Sequence, residues 1–191
     1  MYISLSAEDD SPLENHQKAI ECFEKAINIF KKDDPIMLAY SQTFASMPYA
    51  RLAKRNIDPK INIMKSINLC NEALKTFKSD YYTTYYARNH SNLGISYALL
   101  ARIEDKEINL LKAIEHLKTS LTIYTKDASL AKYAAVQMEL ADCYVLLSEI
   151  QNKEENRILA VKSIDEALTY YTKEISPNVN KELIDKKTSI K

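Results

Sequence analysis

An all-α fold of repeated helix pairs is what this sequence predicts, and three observations predict it. The 191 residues include one glycine and five prolines, too little turn chemistry for a chain of many short strands. No segment alternates apolar and polar residues long enough for a strand. Apolar residues instead recur at three and four positions, as in Ile20, Phe23, Ala26, Ile27 and Phe30, which places them on one stripe of a helix. That stripe then repeats: Ala26, Ala73, Ser120 and Ala167 stand 47 apart (73 − 26, 120 − 73, 167 − 120). The columns Ile20, Ile67, Ile114, Val161; Ile27, Leu74, Leu121, Leu168; and Phe30, Phe77, Tyr124, Tyr171 keep the same register. An internal repeat of helices follows.

Seven or eight helices are expected, near 12–32, 35–55, 59–79, 81–103, 106–126, 128–150 and 153–174, with a shorter one near 177–188. Ser11-Pro12-Leu13-Glu14 is a capping box that opens the first. The second starts at Asp34-Pro35, where the proline's missing N–H leaves no helical bond unmade. Asp58, Asp105 and Asn152, again 47 apart, precede the helices near 59, 106 and 153 and are expected to accept hydrogen bonds from first-turn amides. Asp80 and Asp127 are expected to do the same for the intervening helices, and Ser176-Pro177 for the last.

Those intervening helices form a second set. The stretches "LAYSQTFASMPYARLA" (38 to 53), "YARNHSNLGISYALLA" (86 to 101) and "YAAVQMELADCYVLLS" (133 to 148) align Ala39, Ala87 and Ala134, and also Tyr49, Tyr97 and Tyr144. Pro48 breaks a local rule inside the first of them. It removes a helical hydrogen bond and is expected to kink that helix. The chain therefore reads as one repeat domain, 1–191: a half repeat at 12–34, full repeats at 35–79, 80–127 and 128–174, and a C-terminal capping segment at 175–191.

Composition excludes several functions. Lys plus Arg and Asp plus Glu are equal, at 26 each, so the electrostatic footprint of a nucleic-acid binder is missing. The apolar run Leu93 to Ala101 is about half of what a membrane span needs. The start, "MYISLSAEDD", has no basic region and turns acidic where a signal peptide would be apolar, so a cytoplasmic protein is expected. Cys22, Cys70 and Cys143 are odd in number and widely spaced, without paired spacing for zinc or redox work, and are read as small buried hydrophobes.

No catalytic constellation is found either. A lone helical glycine, Gly94, excludes both common phosphate-cradling fingerprints. His16, His90 and His116 fall on three separate helices without metal-ligand spacing and are read as satisfied or exposed side chains. Glu154-Glu155 and Asp9-Asp10 suit helix starts or a solvated tail. The Tyr81, Tyr82, Tyr85, Tyr86 cluster lacks the interleaved basic residues of a base-stacking platform and is assigned to packing. No enzyme, cofactor or metal is expected.

With Leu93, Gly94 and Tyr97 on one helix and Ala113, Leu117 and Ser120 on the next, the sequence resembles the tetratricopeptide repeat. Leu140, Ala141 and Tyr144, followed by Ala160, Ile164 and Ala167, resemble it again, and Ala45, Ser46 and Tyr49 with Ser66, Cys70 and Ala73 do so more weakly. The 47-residue period exceeds the family's usual length, no tryptophan occurs, and the closing prolines are missing. The resemblance implies a right-handed superhelical α-solenoid of antiparallel helix pairs. Gly94 facing Ala113, and Ala141 facing Ala160, would let the helices of a pair approach closely.

The resemblance also implies a concave groove that binds a peptide or partner protein. Carried over position by position, its lining is Tyr40, Thr43 and Met47; Arg88, Ser91, Asn92 and Ile95; and Ala135, Met138 and Asp142. One subset of the family clamps acidic chaperone tails with Lys, Asn and Arg. Only Asn92 matches here; Thr43 and Met47 replace a Lys and an Asn, and Ala135 and Glu139 replace a Lys and an Arg. The expectation is a non-catalytic interaction scaffold. Two alternatives stand beside it. One is self-assembly through the array ends, unless Val179, Leu183 and Ile184 of the last helix cover them; the other is a peptide-sensing regulator.

Overall fold

A computed structural model describes residues 13–190, all of whose regular elements are helices: α1 (Leu13–Phe30), α2 (Pro35–Lys54), α3 (Pro59–Thr76), α4 (Thr83–Leu100), α5 (Lys106–Leu121), α6 (Lys126–Ser148), α7 (Lys153–Leu168) and α8 (Pro177–Ser189). Ser11 and Pro12 of the expected capping box lie outside the described residues. The contacts divide the chain into two compact lobes, one running to Ile123 and the other from Tyr124 onward.

In the N-terminal lobe each helix packs on the next, from α1 to α5, and α2 also touches α4. The core is built from the stripes that repeat in the sequence. Ile63, Ile67 and Cys70 of α3 meet Ala53 of α2 and Leu93 and Leu100 of α4. Ile20 of α1 meets Tyr49 and Leu52 of α2. Between α2 and α4 the contact is polar as well: Asn89 and Asn92 donate from Nδ2 to Thr43 Oγ1 and Ser46 Oγ, each at 2.9 Å. Such bonds contribute about 1 kcal/mol each, but they fix which turn of α4 lies against which turn of α2. Gly94 sits where α4 crosses α5. A Cβ built on it would lie 2.5 Å from Leu117 Cγ and 3.1 Å from the Ala113 carbonyl oxygen, so close approach at this glycine is real.

In the C-terminal lobe α6 packs on α7 and α7 on α8. Leu140, Ala141 and Tyr144 of α6, Ala160, Ile164 and Ala167 of α7, and Val179 and Leu183 of α8 are buried. Lys186 of α8 is ion-paired with Asp142 of α6, with both side chains nearly buried, and Lys187 with Asp165 of α7. The Asn180 amide of α8 donates to the Tyr171 carbonyl at 2.8 Å. Ile184 remains exposed.

Helix starts are close to expectation, but several ends fall short. Helices α3, α5 and α7 stop at Thr76, Leu121 and Leu168, three to six residues early. The reason is visible at Phe77, which takes an extended backbone (φ −83, ψ 101) and folds its fully buried ring against Ala39 and Ala73. Tyr124 occupies the same column, past the end of α5, and is also buried. A buried aromatic just beyond a helix end keeps the helical period in sequence while leaving the helix.

The caps also differ. Asp34 behaves as expected, its Oδ1 accepting from Ile36 N (3.1 Å) and Met37 N (2.9 Å). Asp58, Asp105 and Asn152 make no side-chain cap bond. Their φ values of 37, 44 and 46 are left-handed, which Asp and Asn tolerate, whereas a capping side chain needs the extended region. What holds each of these turns is instead Asn62, Asn109 or Asn156, four residues on, whose amides donate back to the carbonyls of Ile57, Glu104 and Gln151 at 2.8, 2.9 and 2.8 Å. Asp80 is not a cap, since α4 begins only at Thr83 after Tyr82. Thr125, not Asp127, caps α6 by accepting from Ala128 N at 3.1 Å. Ser129 then breaks that helix with extended backbone (φ −167, ψ 89). Ser176 makes no side-chain cap bond, and α2 runs without interruption through Pro48.

Candidate functional site

The face that the described side chains favour as a docking surface belongs to α2 and α4 of the N-terminal lobe. On α2, Tyr40, Phe44 and Met47 fall at i, i+4 and i+7, one side of the helix. On α4, Arg88, Ser91 and Ile95 do the same at i, i+3 and i+7. The polar contact described above sets one helix against the other. All six side chains keep solvent-exposed area, Phe44 the most.

The end of this face is aromatic. Phe77, the buried hub, has ring centroids 5.0 Å from Tyr40, 5.1 Å from Tyr85 and 5.0 Å from Tyr82. Tyr40 and Tyr85 meet edge to face at 4.6 Å, and Phe44 joins them 6.3 Å from Tyr85. Burial of its hydroxyl, and then the neighbouring Tyr85, raise the Tyr40 phenol above its ordinary value, so it is a neutral donor at physiological pH. The Arg88 guanidinium lies 5.0 Å above the Phe44 ring, a cation–π contact. Its Nε is buried without a hydrogen-bond partner, and Arg88 enters no ion pair among the described residues. Its outer N–H groups are free to take a planar carboxylate, the recognition for which guanidinium is suited.

The expected groove residues therefore divide. Tyr40, Met47, Arg88, Ser91 and Ile95 share the α2–α4 face. Thr43 and Asn92 are buried and bonded within the lobe, with Thr43 Oγ1 donating to Ala39 O at 2.8 Å. In the other lobe Ala135 is exposed, Met138 is buried and Asp142 is held by Lys186. Sequence reasoning missed Phe44 and Tyr85 as parts of the face, although Phe44 stands one turn from Tyr40. Of the tyrosine cluster, Tyr82 and Tyr85 pack as expected, while Tyr81 is 88% exposed.

A second constellation joins residues that the sequence keeps apart. His90 of α4 and His116 of α5 bring their Nδ1 atoms to 2.9 Å. Tyr86 packs on His90 at 4.4 Å, and Tyr97 stacks parallel to His116 at 5.5 Å with 7° between planes. Desolvation, and then the charge of His116, lower His90 to about 4. His116 is lowered too, by burial first, with Lys112 adding to the effect and Glu115 opposing it. A small cleft of about 310 Å³ lies among α1, α2 and α3, lined in part by Glu24, Tyr49, Lys65 and Asn68. There Tyr49 donates to Glu24 and Lys65 sits 4.9 Å over the Tyr49 ring. Desolvation raises the Tyr49 phenol.

Cys70 and Cys143 are buried as expected, but Cys22 is exposed. Burial raises the Cys70 thiol to about 12, so it stays protonated and unreactive. No helix among the described residues is long and apolar enough to cross a membrane. The chain matches no family of known proteins, no curated protein and no solved structure.

Proposed function

We propose that the protein is a non-catalytic interaction module whose α2–α4 face takes an extended peptide or partner segment carrying an acidic residue beside apolar ones. The observation that carries this reading is Arg88: a guanidinium seated on Phe44, with no ion pair among the described residues, at the edge of a partly buried aromatic cluster. Met47 and Ile95 supply apolar contact further along, and Tyr40 and Ser91 supply hydroxyls. That is the composition of an interface centre, rich in aromatic residues and Arg.

The array reading is a proposal of the same kind. The 47-residue register, the sequential helix contacts within each lobe and the added α2–α4 contact favour tetratricopeptide-like helix pairs of the α-solenoid class. Self-assembly is the second reading, and Asp142 and Asp165 bear on it. Their bonds to Lys186 and Lys187 tie α8 down as a cap on its lobe, which disfavours open-ended stacking there.

The test is selection of a random peptide library on the wild-type chain, with a folded Arg88→Glu, Ile95→Glu variant as counter-target. Enriched peptides should contain Asp or Glu flanked by apolar residues and bind the variant at least tenfold more weakly. No enrichment, or equal binding to both, would reject the face. A concentration-dependent rise in mass by light scattering would favour self-assembly instead.

A further inference from the structure

We infer that His90 and His116 form a binding site for a divalent transition-metal ion with square-planar or octahedral preference, nickel(II) or copper(II) ahead of zinc(II). The site is separate from the docking face and does not depend on it.

The geometry carries the inference. Metal–imidazole bonds are about 2.0–2.1 Å long. Two of them at a right angle span about 2.9 Å, and at a tetrahedral angle about 3.3 Å. The two Nδ1 atoms stand 2.9 Å apart, the spacing of neighbouring corners in a square or an octahedron, so the rings need turn only enough to aim both lone pairs at one point. Nickel(II) and copper(II) favour those geometries, whereas zinc(II) would force the helices or rings apart.

The surroundings hold the donors in place. Tyr86 and Tyr97 pack against the two imidazoles, and the close crossing at Gly94, one turn from His90, fixes α4 against α5. Rings confined between neighbours on a fixed pair of helices lose little freedom on binding, while each keeps the turn about its own side-chain bonds that aiming at one ion requires. Both imidazoles stay neutral near pH 7 because burial disfavours their cations, which leaves their lone pairs available. Both rings are half-buried, and no group of three His, Cys, Asp or Glu among the described residues could hold an ion. The remaining positions therefore belong to water or to an incoming ligand.

In the metal-free pair one Nδ1 carries hydrogen and donates to the other. When the ion enters, that proton leaves Nδ1 and the ring takes one from solvent at Nε2. Both rings remain neutral, and no proton is released above the imidazole range. Below it, protons and metal compete. The charged groups on α5 beside His116 are Lys112, which opposes the ion, and Glu115, which favours it.

Nickel(II) is the probe, because the exposed Cys22 thiol would reduce copper(II). Calorimetric titration of the full chain at pH 7.5 should show one ion per chain with a Kd in the micromolar range. His90→Gln and His116→Gln, checked for folding by circular dichroism, should each weaken it at least tenfold, and zinc(II) should bind more weakly than nickel(II). Independently of any variant, nickel(II) should shift or broaden the ring resonances of His90 and His116 while leaving His16 alone. No stoichiometric binding, binding unchanged in both variants, or broadening confined to His16 would each overturn the site.

Discussion

Gly94→Ala sets two effects of known size against each other. Alanine raises helix propensity by about 1 kcal/mol over glycine, so an uncrowded helix would be stabilised. Here the new methyl would lie 2.5 Å from Leu117 Cγ and 2.7 Å from its Cδ2, with the Ala113 carbonyl oxygen at 3.1 Å. Normal carbon contacts are about 3.5–4.0 Å, so Leu117 must retreat by about 1 Å. It is fully buried, and the carbonyl is part of the α5 backbone. Overpacking of this kind costs about 1–3 kcal/mol, so the net loss is about 1 kcal/mol, reaching about 2 kcal/mol if α5 shifts. In a chain of this size that lowers Tm by about 2–8 °C. Urea and thermal unfolding followed by circular dichroism would read it. Gly94→Leu should be worse and loosen α4 from α5. Leu117→Ala alone leaves a cavity, and combining it with Gly94→Ala should cost less than the sum of the two, because the methyl then fills vacated space. A Gly94→Ala protein as stable as wild type, or more so, would refute the close-crossing argument.

Three further outcomes follow from the same contacts. His90 is lowered in the folded state to about 4 from its ordinary 6.5, so the unfolded chain binds the proton more readily. Its contribution is fully present above about pH 6.5 and is lost as pH falls toward 4, on the order of 2 kcal/mol; urea midpoints of wild type and His90→Gln should therefore converge across that window. Asn109→Ala leaves the Glu104 carbonyl without its 2.9 Å bond and should cost about 1 kcal/mol, with Asn62→Ala and Asn156→Ala similar in chemical denaturation. Lys186→Ala leaves Asp142 nearly buried and unpaired by α8, and should destabilise the C-terminal lobe by about 3 kcal/mol, with faster amide exchange in α8.

Much of the fold could be read from the sequence because the buried columns are themselves the repeat. Ala73, Ser120 and Ala167 stand 47 apart and are completely buried. Helix ends were less legible, since Phe77 and Tyr124 continue the apolar period after the helix has stopped. Asp58, Asp105 and Asn152 have the residue types of caps, but nothing in residue type reveals a left-handed backbone. The better signal was the column Asn15, Asn62, Asn109, Asn156, polar residues kept at the repeat spacing, three of which are buried. At the docking face, the helical positions of Tyr40 and Arg88 were legible, but the inward turn of Thr43 and Asn92 depends on how α2 meets α4. The histidine pair was hidden by 26 residues of separation (116 − 90), yet its register was implicit. Once Gly94 meets Ala113 and Leu117, the residue one turn before it runs beside the same stretch of α5, within side-chain reach of His116.

The most direct test of the docking face is site-specific photo-crosslinking in extract of the source cells, with benzophenone placed at Ser91 on the face and, separately, at the exposed Ile158 of α7. The account predicts a discrete adduct from position 91 that disappears when Arg88 is also changed to Glu, and none from position 158. Adducts of equal yield from both positions, or an adduct at 91 that survives Arg88→Glu, would contradict it.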